Sequence, residues 1–168
     1  MSLADRIEAV TGRRPGRMTA LSGGCIAEIH RVELEGGPPV VVKRGSRLDL
    51  EGWMLDYLAD RSELPVPEVI LAEPNLLIMS HIETSGALDA DAERHAADLL
   101  AALHTVRGPS FGLERDTLIG SLPQPNPPTA RWIDFFRDHR LLYMAREALA
   151  NGSPRGWTTG STSPRRPP

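Results

Sequence analysis

From Ile29 to Lys43 the chain alternates, turns and alternates again. Ile29 and Arg31 fall on one side, and His30, Val32 and Leu34 on the other. Gly36-Gly37 is a hairpin signal, and Val40-Val41-Val42-Lys43 is the returning strand. Met18-Thr19-Ala20-Leu21 reads as an earlier strand, leading into the glycine turn Ser22-Gly23-Gly24-Cys25. The result is a β-meander whose first turn is rich in glycine and whose third strand ends in a lysine.

The flanking segments fit around that meander. Residues 2–11 read as a short amphipathic helix with Leu3, Ile7 and Val10 on one side, ended by Thr11-Gly12. Leu48 to Ala59 is a second helix, with Leu50, Met54, Leu55 and Leu58 on one face, closed off by Pro65 and Pro67. Val69-Ile70-Leu71 and Leu76-Leu77-Ile78-Met79, split by Glu73-Pro74-Asn75, are two further strands. Five strands with one helix inserted after the third is the expected arrangement. Ala87 to Val106 follows as a helix with Asp89 and Asp91 at its N-terminal dipole. Residues 108–128 read as a long Pro- and Gly-rich loop, and Thr129 to Ala150 as one further helix.

Composition narrows the class. Hydrophobic residues make up 40% of the 168 and charged residues 24%, as in ordinary globular chains. A net charge of −3 gives no basic field that would draw nucleic acid or an anionic membrane, so neither partner is expected. The start has no apolar signal region, and no apolar run reaches the ~18 residues a membrane span needs. Cys25 is the one cysteine, which excludes an internal disulfide and suits a reducing compartment; a cytoplasmic location is expected. Residues 151–168 hold four prolines, three arginines and no acid, and read as a disordered tail.

Several residues could carry chemistry. Backbone N–H groups of a glycine turn can cradle phosphate oxygens, although two glycines before a strand are more often only a turn. Lys43 stands where protein kinases hold the α- and β-phosphates, against the alternative of a solvated strand-edge lysine. Glu51 lies one to two turns into the next helix, where a carboxylate could orient that lysine. The five histidines form no i, i+4 pair with a nearby glutamate, so no metal site is expected from them. Trp132, Phe135 and Phe136 read first as core.

Ser22-Gly23-Gly24-Cys25-Ile26, Val41-Val42-Lys43-Arg44, Leu64-Pro65-Val66-Pro67-Glu68-Val69 and Leu76-Leu77-Ile78-Met79 together resemble the N-lobe of fructosamine (ketosamine-3) kinases. Two more blocks carry the resemblance further, Phe111 to Asn126 and Trp132 to Leu141, and set the chain apart from aminoglycoside and choline kinases. The resemblance implies an α+β, protein-kinase-like fold. It has a five-stranded antiparallel N-lobe over residues 1–82 and the first helices of a C-lobe over residues 83–150. It implies ATP and Mg2+ as cofactors, and a small-molecule or protein-bound ketosamine as substrate, phosphorylated in deglycation.

On this picture Lys43 binds the phosphates, Glu51 orients it, and Gly23 and Gly24 cover them. Met79 takes the gatekeeper place, and the backbone of Ser80 and Ile82 meets adenine. Ser80 departs from the acidic residue the family pattern carries there. The resemblance also implies redox control through a Cys25–Cys25 disulfide between two chains.

The family's catalytic loop, His-Gly-Asp-Leu-Trp-x-Gly-Asn, and its later metal-binding Asp find no match here, because no His-Gly-Asp occurs in the sequence. The expectation is therefore a chain cut short before the catalytic loop, inactive by itself. Leu99, Leu103, Phe135 and Phe136 would then have too little to pack against, leaving the chain prone to aggregate. Another small-molecule kinase of the same fold, or a non-catalytic nucleotide-binding remnant, are the alternatives.

Overall fold

A computed structural model of the chain describes residues 1–21, 27–84 and 86–152. It divides into two compact units, Met1–Gly108 and the residues from Pro109 onward.

The first unit is a five-stranded antiparallel sheet with helices. Helix α1 (Leu3–Thr11) precedes strands β1 (Pro15–Ala20), β2 (Glu28–Leu34) and β3 (Gly37–Arg44). Helix α2 (Leu48–Arg61) comes next, then β4 (Val69–Glu73), β5 (Leu76–Ser80) and helix α3 (Ala90–Thr105). The strand order is β1-β2-β3-β5-β4. The helix expected after the third strand is there, and the two strands split by Glu73-Pro74-Asn75 form the hairpin β4–β5.

The two faces of the sheet follow from the two-residue period of a strand. Val32, Leu34, Val40, Val42, Leu76 and Ile78 make the buried core together with Ile7 of α1. Helix α1 packs Ile7 into this core and starts with a capping box, in which the Asp5 N–H donates to Ser2 Oγ (3.1 Å) and the Ser2 N–H to Asp5 Oδ2 (2.8 Å). It ends at Gly12 in the left-handed region (φ 67°). Arg6 reaches Glu73 on β4 in an ion pair. The opposite face carries Ile29 and Arg31 of β2, Val41 and Lys43 of β3, and Leu77 and Met79 of β5, aligned by the registers Ile29–Lys43–Leu77 and Arg31–Val41–Met79.

Helix α3 starts three residues later than its periodicity suggests, because Asp89 caps it, accepting from the N–H groups of Asp91 (3.1 Å) and Ala92 (2.9 Å). None of its residues is fully buried. Among the described residues no helix is long and apolar enough to cross a membrane.

The second unit differs from the expectation in three ways. The segment read as plain loop contains a short hairpin, β6 (Thr117–Ile119) and β7 (Leu122–Gln124). The helix expected to run unbroken to Ala150 is α4 (Trp132–Phe136), a π-helical turn (Arg137–Leu141) and α5 (Leu142–Ala150). Phe135, read first as core but expected to find too little to pack against in a shortened chain, is buried (5% exposed). It sits against Trp132 and His139 and beneath the Arg140 guanidinium, which lies 4.5 Å from its ring centre. The tail expected over residues 151–168 lies outside the described residues from Ser153 on.

Candidate nucleotide-binding site

Lys43 and Glu51 are brought together as their positions suggested. Lys43 sits near the end of β3 on the face opposite the core, and Glu51 on the first turn of α2. The Lys43 ammonium donates to both carboxylate oxygens, at 2.7 Å each. Both side chains are partly buried, at 20% and 37% exposed. A two-pronged, charge-assisted pair in partial shelter is better defined than an exposed ion pair. An ammonium has three N–H donors, so a third direction is left for another anion.

Helix α2 lies close against the sheet at Gly52. A β-carbon built there would stand 2.4 Å from Ala72 Cβ and 3.3 Å from Leu77 Cδ1. The residue next to Glu51 is therefore in direct backbone contact with β4 and β5. The sequence offered a faint sign of this, a lone glycine inside a helical pattern.

Val41 and Met79 pair in register on the face that holds Lys43. Ser80 closes β5. Its N–H donates to Glu68 O (2.9 Å), and its Oγ accepts from the Glu68 N–H (2.9 Å). Ile82 follows, half exposed (49%). Glu83, which sequence reasoning did not single out, links this segment back to the sheet, with Oε1 3.6 Å from Arg31 Nη2 and 3.3 Å from His81 Nδ1. The His81 contact lacks hydrogen-bond geometry. Gly23, Gly24 and Cys25 lie outside the described residues. Among the described residues no group of three or more His, Cys, Asp or Glu side chains converges as a metal site would require.

In the second unit, the block from Phe111 to Asn126 closes on Asn126, which is 1% exposed. Its Nδ2 donates to Arg115 O (3.0 Å) and Thr117 Oγ1 (2.8 Å), and its N–H to Asp116 Oδ1 (2.8 Å). Its Oδ1 accepts from Arg140, which also donates to Pro125 O at 2.7 Å. Burial lowers the Arg140 pKa, and the guanidinium donates to the carbonyl oxygens of Pro125 and His139. Arg137 and Asp138 pair at the surface through two 2.7 Å hydrogen bonds, which hold the Asp138 carboxyl below its usual value and raise Arg137.

The chain has relatives among known proteins. A probable ketoamine kinase of Synechocystis is 32% identical over 165 residues, covering 89% of this chain and 55% of the relative. A chloroplastic protein-ribulosamine 3-kinase of Arabidopsis thaliana is 38% identical over 146 residues, covering 79% and 43%. A solved structure from Thermobifida fusca, provisionally assigned as a fructosamine-3-kinase, superposes with a TM-score of 0.77 at 30% identity, over 92% of this chain and 56% of that one. A second, from Haemophilus somnus and with the same provisional assignment, has a TM-score of 0.78 at 23% identity and agrees in fold. The chain spans about half the length of the relatives it matches. The α+β, kinase-like fold is thus shared with solved members, and the fructosamine kinase family model matches residues 2–160. The chain belongs to the fructosamine kinase family.

Proposed function

We propose that this chain supplies the nucleotide-binding part of an ATP-dependent kinase acting on the sugar hydroxyl of ketosamines. The observation that carries the reading is the Lys43–Glu51 pair, on the same sheet face as Val41 and Met79. Glu51 fixes the ammonium, and Lys43 presents its charge to the α- and β-phosphates of ATP. The apolar Val41 and Met79 form a floor for the base, with Met79 as gatekeeper. The adenine edge meets the carbonyl of Ser80 and the N–H of Ile82. The Ser80 N–H is not offered, because Glu68 O already accepts it. Gly23 and Gly24 are assigned to cover the phosphates.

The relatives named as ketoamine and ribulosamine kinases support a small-molecule or protein-bound ketosamine as the acceptor. Mg2+ is assigned to the bound ATP. The described residues offer it no cluster of three or more His, Cys, Asp or Glu side chains. These 168 residues contain no His-Gly-Asp, and the polypeptide by itself is expected to bind nucleotide without transferring phosphate. Cys25 is proposed to join two chains on oxidation; Cys25→Ser should then abolish the thiol-sensitive dimer band on a non-reducing gel. The lobe boundary at residues 82/83 and a cytosolic location, suggested by the single cysteine, belong to the same proposal.

An acyl-phosphate derivative of ATP tests the site directly. It should acylate Lys43, mapped by mass spectrometry, and excess ATP should block the labelling. Labelling spread over surface amines and indifferent to ATP would overturn the assignment.

A further inference from the structure

Glycine is a poor helix former, yet Gly52 is the fifth residue of α2 and is buried. Its backbone is not in the left-handed region, so conformation does not require glycine there. Space does. A β-carbon at this position would stand 2.4 Å from Ala72 Cβ on β4, whereas ordinary contact begins at 3.4 Å, so an alanine would push the helix back by about 1 Å. Leu77 Cδ1 at 3.3 Å and Val69 Cγ1 at 3.6 Å close the space on either side. Leu77 is also the register partner of Lys43 across β3 and β5. The seat of Gly52 and the base of the lysine therefore share one stretch of sheet.

We propose that Gly52, seated on Ala72, is a positioning residue for Lys43: it sets the depth of α2 at which the neighbouring Glu51 reaches the ammonium with both oxygens. The glycine touches no nucleotide. It acts through Glu51, whose two 2.7 Å bonds lie near the short limit of hydrogen bonding. A retreat of the helix by 1 Å lengthens at least one of them beyond a good hydrogen bond. The small side chain of Ala72 is the other half of the device, since the contact that alanine at position 52 would violate is with the Ala72 β-carbon.

The inference rests on the reading of Lys43 as the phosphate-binding lysine, but its test has an arm that does not. In the 168-residue chain, the side-chain ammonium 1H–15N signal of Lys43 is observable only while hydrogen bonds slow its exchange. Glu51→Gln serves as the control that removes the ion pair. The parent should show the signal, Gly52→Ala should lose it, and Gly52→Ala/Ala72→Gly should regain it. Mg-ATP affinity should fall about tenfold in Gly52→Ala, the worth of one charge-assisted hydrogen bond, and return to within about twofold in the double variant.

A folded Gly52→Ala chain with signal and affinity intact would overturn the proposal. So would a double variant that regains the parent's melting temperature without the ammonium signal, since packing would then be the whole role of Gly52. If Gly52→Ala does not fold, the double variant decides: parental signal supports the proposal and its loss overturns it. Unchanged Mg-ATP binding by Lys43→Ala would remove the nucleotide reading and leave the ammonium signal to judge the positioning role.

Discussion

The Lys43 ammonium lies 2.7 Å from each carboxylate oxygen of Glu51, eight residues further along the chain and on a different element. The alternation of β3 puts Lys43 opposite the core, and the first turn of α2 puts Glu51 over it. Replacing Glu51 with Gln keeps the shape and removes the charge. Mg-ATP affinity should drop about tenfold, while stability should change by less than about 1 kcal/mol because the pair is only partly buried. Calorimetric titration and thermal melting of the variant separate the two effects; unchanged affinity would detach Glu51 from the site.

Among the described residues of the second unit Asn126 is the most enclosed polar residue, bonded to Arg115, Asp116, Thr117 and Arg140. Asn126→Ala leaves Thr117 and the Arg140 guanidinium short of a partner. It should cost about 2–4 kcal/mol of stability in urea unfolding monitored by tryptophan fluorescence. A cost below about 0.5 kcal/mol would mean that water replaces the amide without loss.

Gly112 and Gly120 both have positive φ, at 110° and 62°, but their surroundings differ. A β-carbon at Gly112 would meet Pro127 O at 2.5 Å and Asn126 O at 2.7 Å, whereas nothing stands within 4 Å at Gly120. Gly112→Ala should therefore destabilise by more than about 1 kcal/mol, and Gly120→Asn, a residue that tolerates this conformation, by less. Melting curves of the two variants side by side give the comparison, and equal losses would mean that the contacts around Gly112 relax without cost.

Helix α1 should loosen in acid. The Ser2 N–H, and then the Ser2 hydroxyl, hold the Asp5 carboxyl below its usual 3.8, against a small opposing effect of desolvation. A carboxyl depressed in the folded state stabilises that state above its unfolded value, and the contribution is lost as pH falls through the folded value. Helical Cα chemical shifts over residues 3–11 should therefore hold steady down to pH 3.8 and decline below it. In Asp5→Asn that decline should be absent. An identical decline in both proteins would place its cause elsewhere.

The first unit was largely legible in the sequence because its signals are local. Alternation around Gly36-Gly37, the Pro74-Asn75 turn and the spacing of Lys43 and Glu51 are each set within a few residues. The second unit was less so. Nothing in Thr129 to Ala150 marks the π-helical turn at Arg137–Leu141, whose Arg140 bonds Pro125 and Asn126 at a distance in sequence. The hairpin β6–β7 is three residues a side, too short for alternation to register. Phe135 gains its cover from that same arginine and from Trp132, which periodicity alone did not foretell. The depth of α2 depends on a side chain that is missing, at Gly52, and an absent side chain leaves little trace in a hydrophobic pattern.

Calorimetric titration of Mg-ATP into the 168-residue chain, beside Lys43→Ala, tests the central claim most directly. Saturable one-to-one binding by the parent, weakened at least about tenfold in the variant, is the predicted result. Equal binding by the two chains, or none by the parent, would contradict the assignment of this sheet face as a nucleotide site.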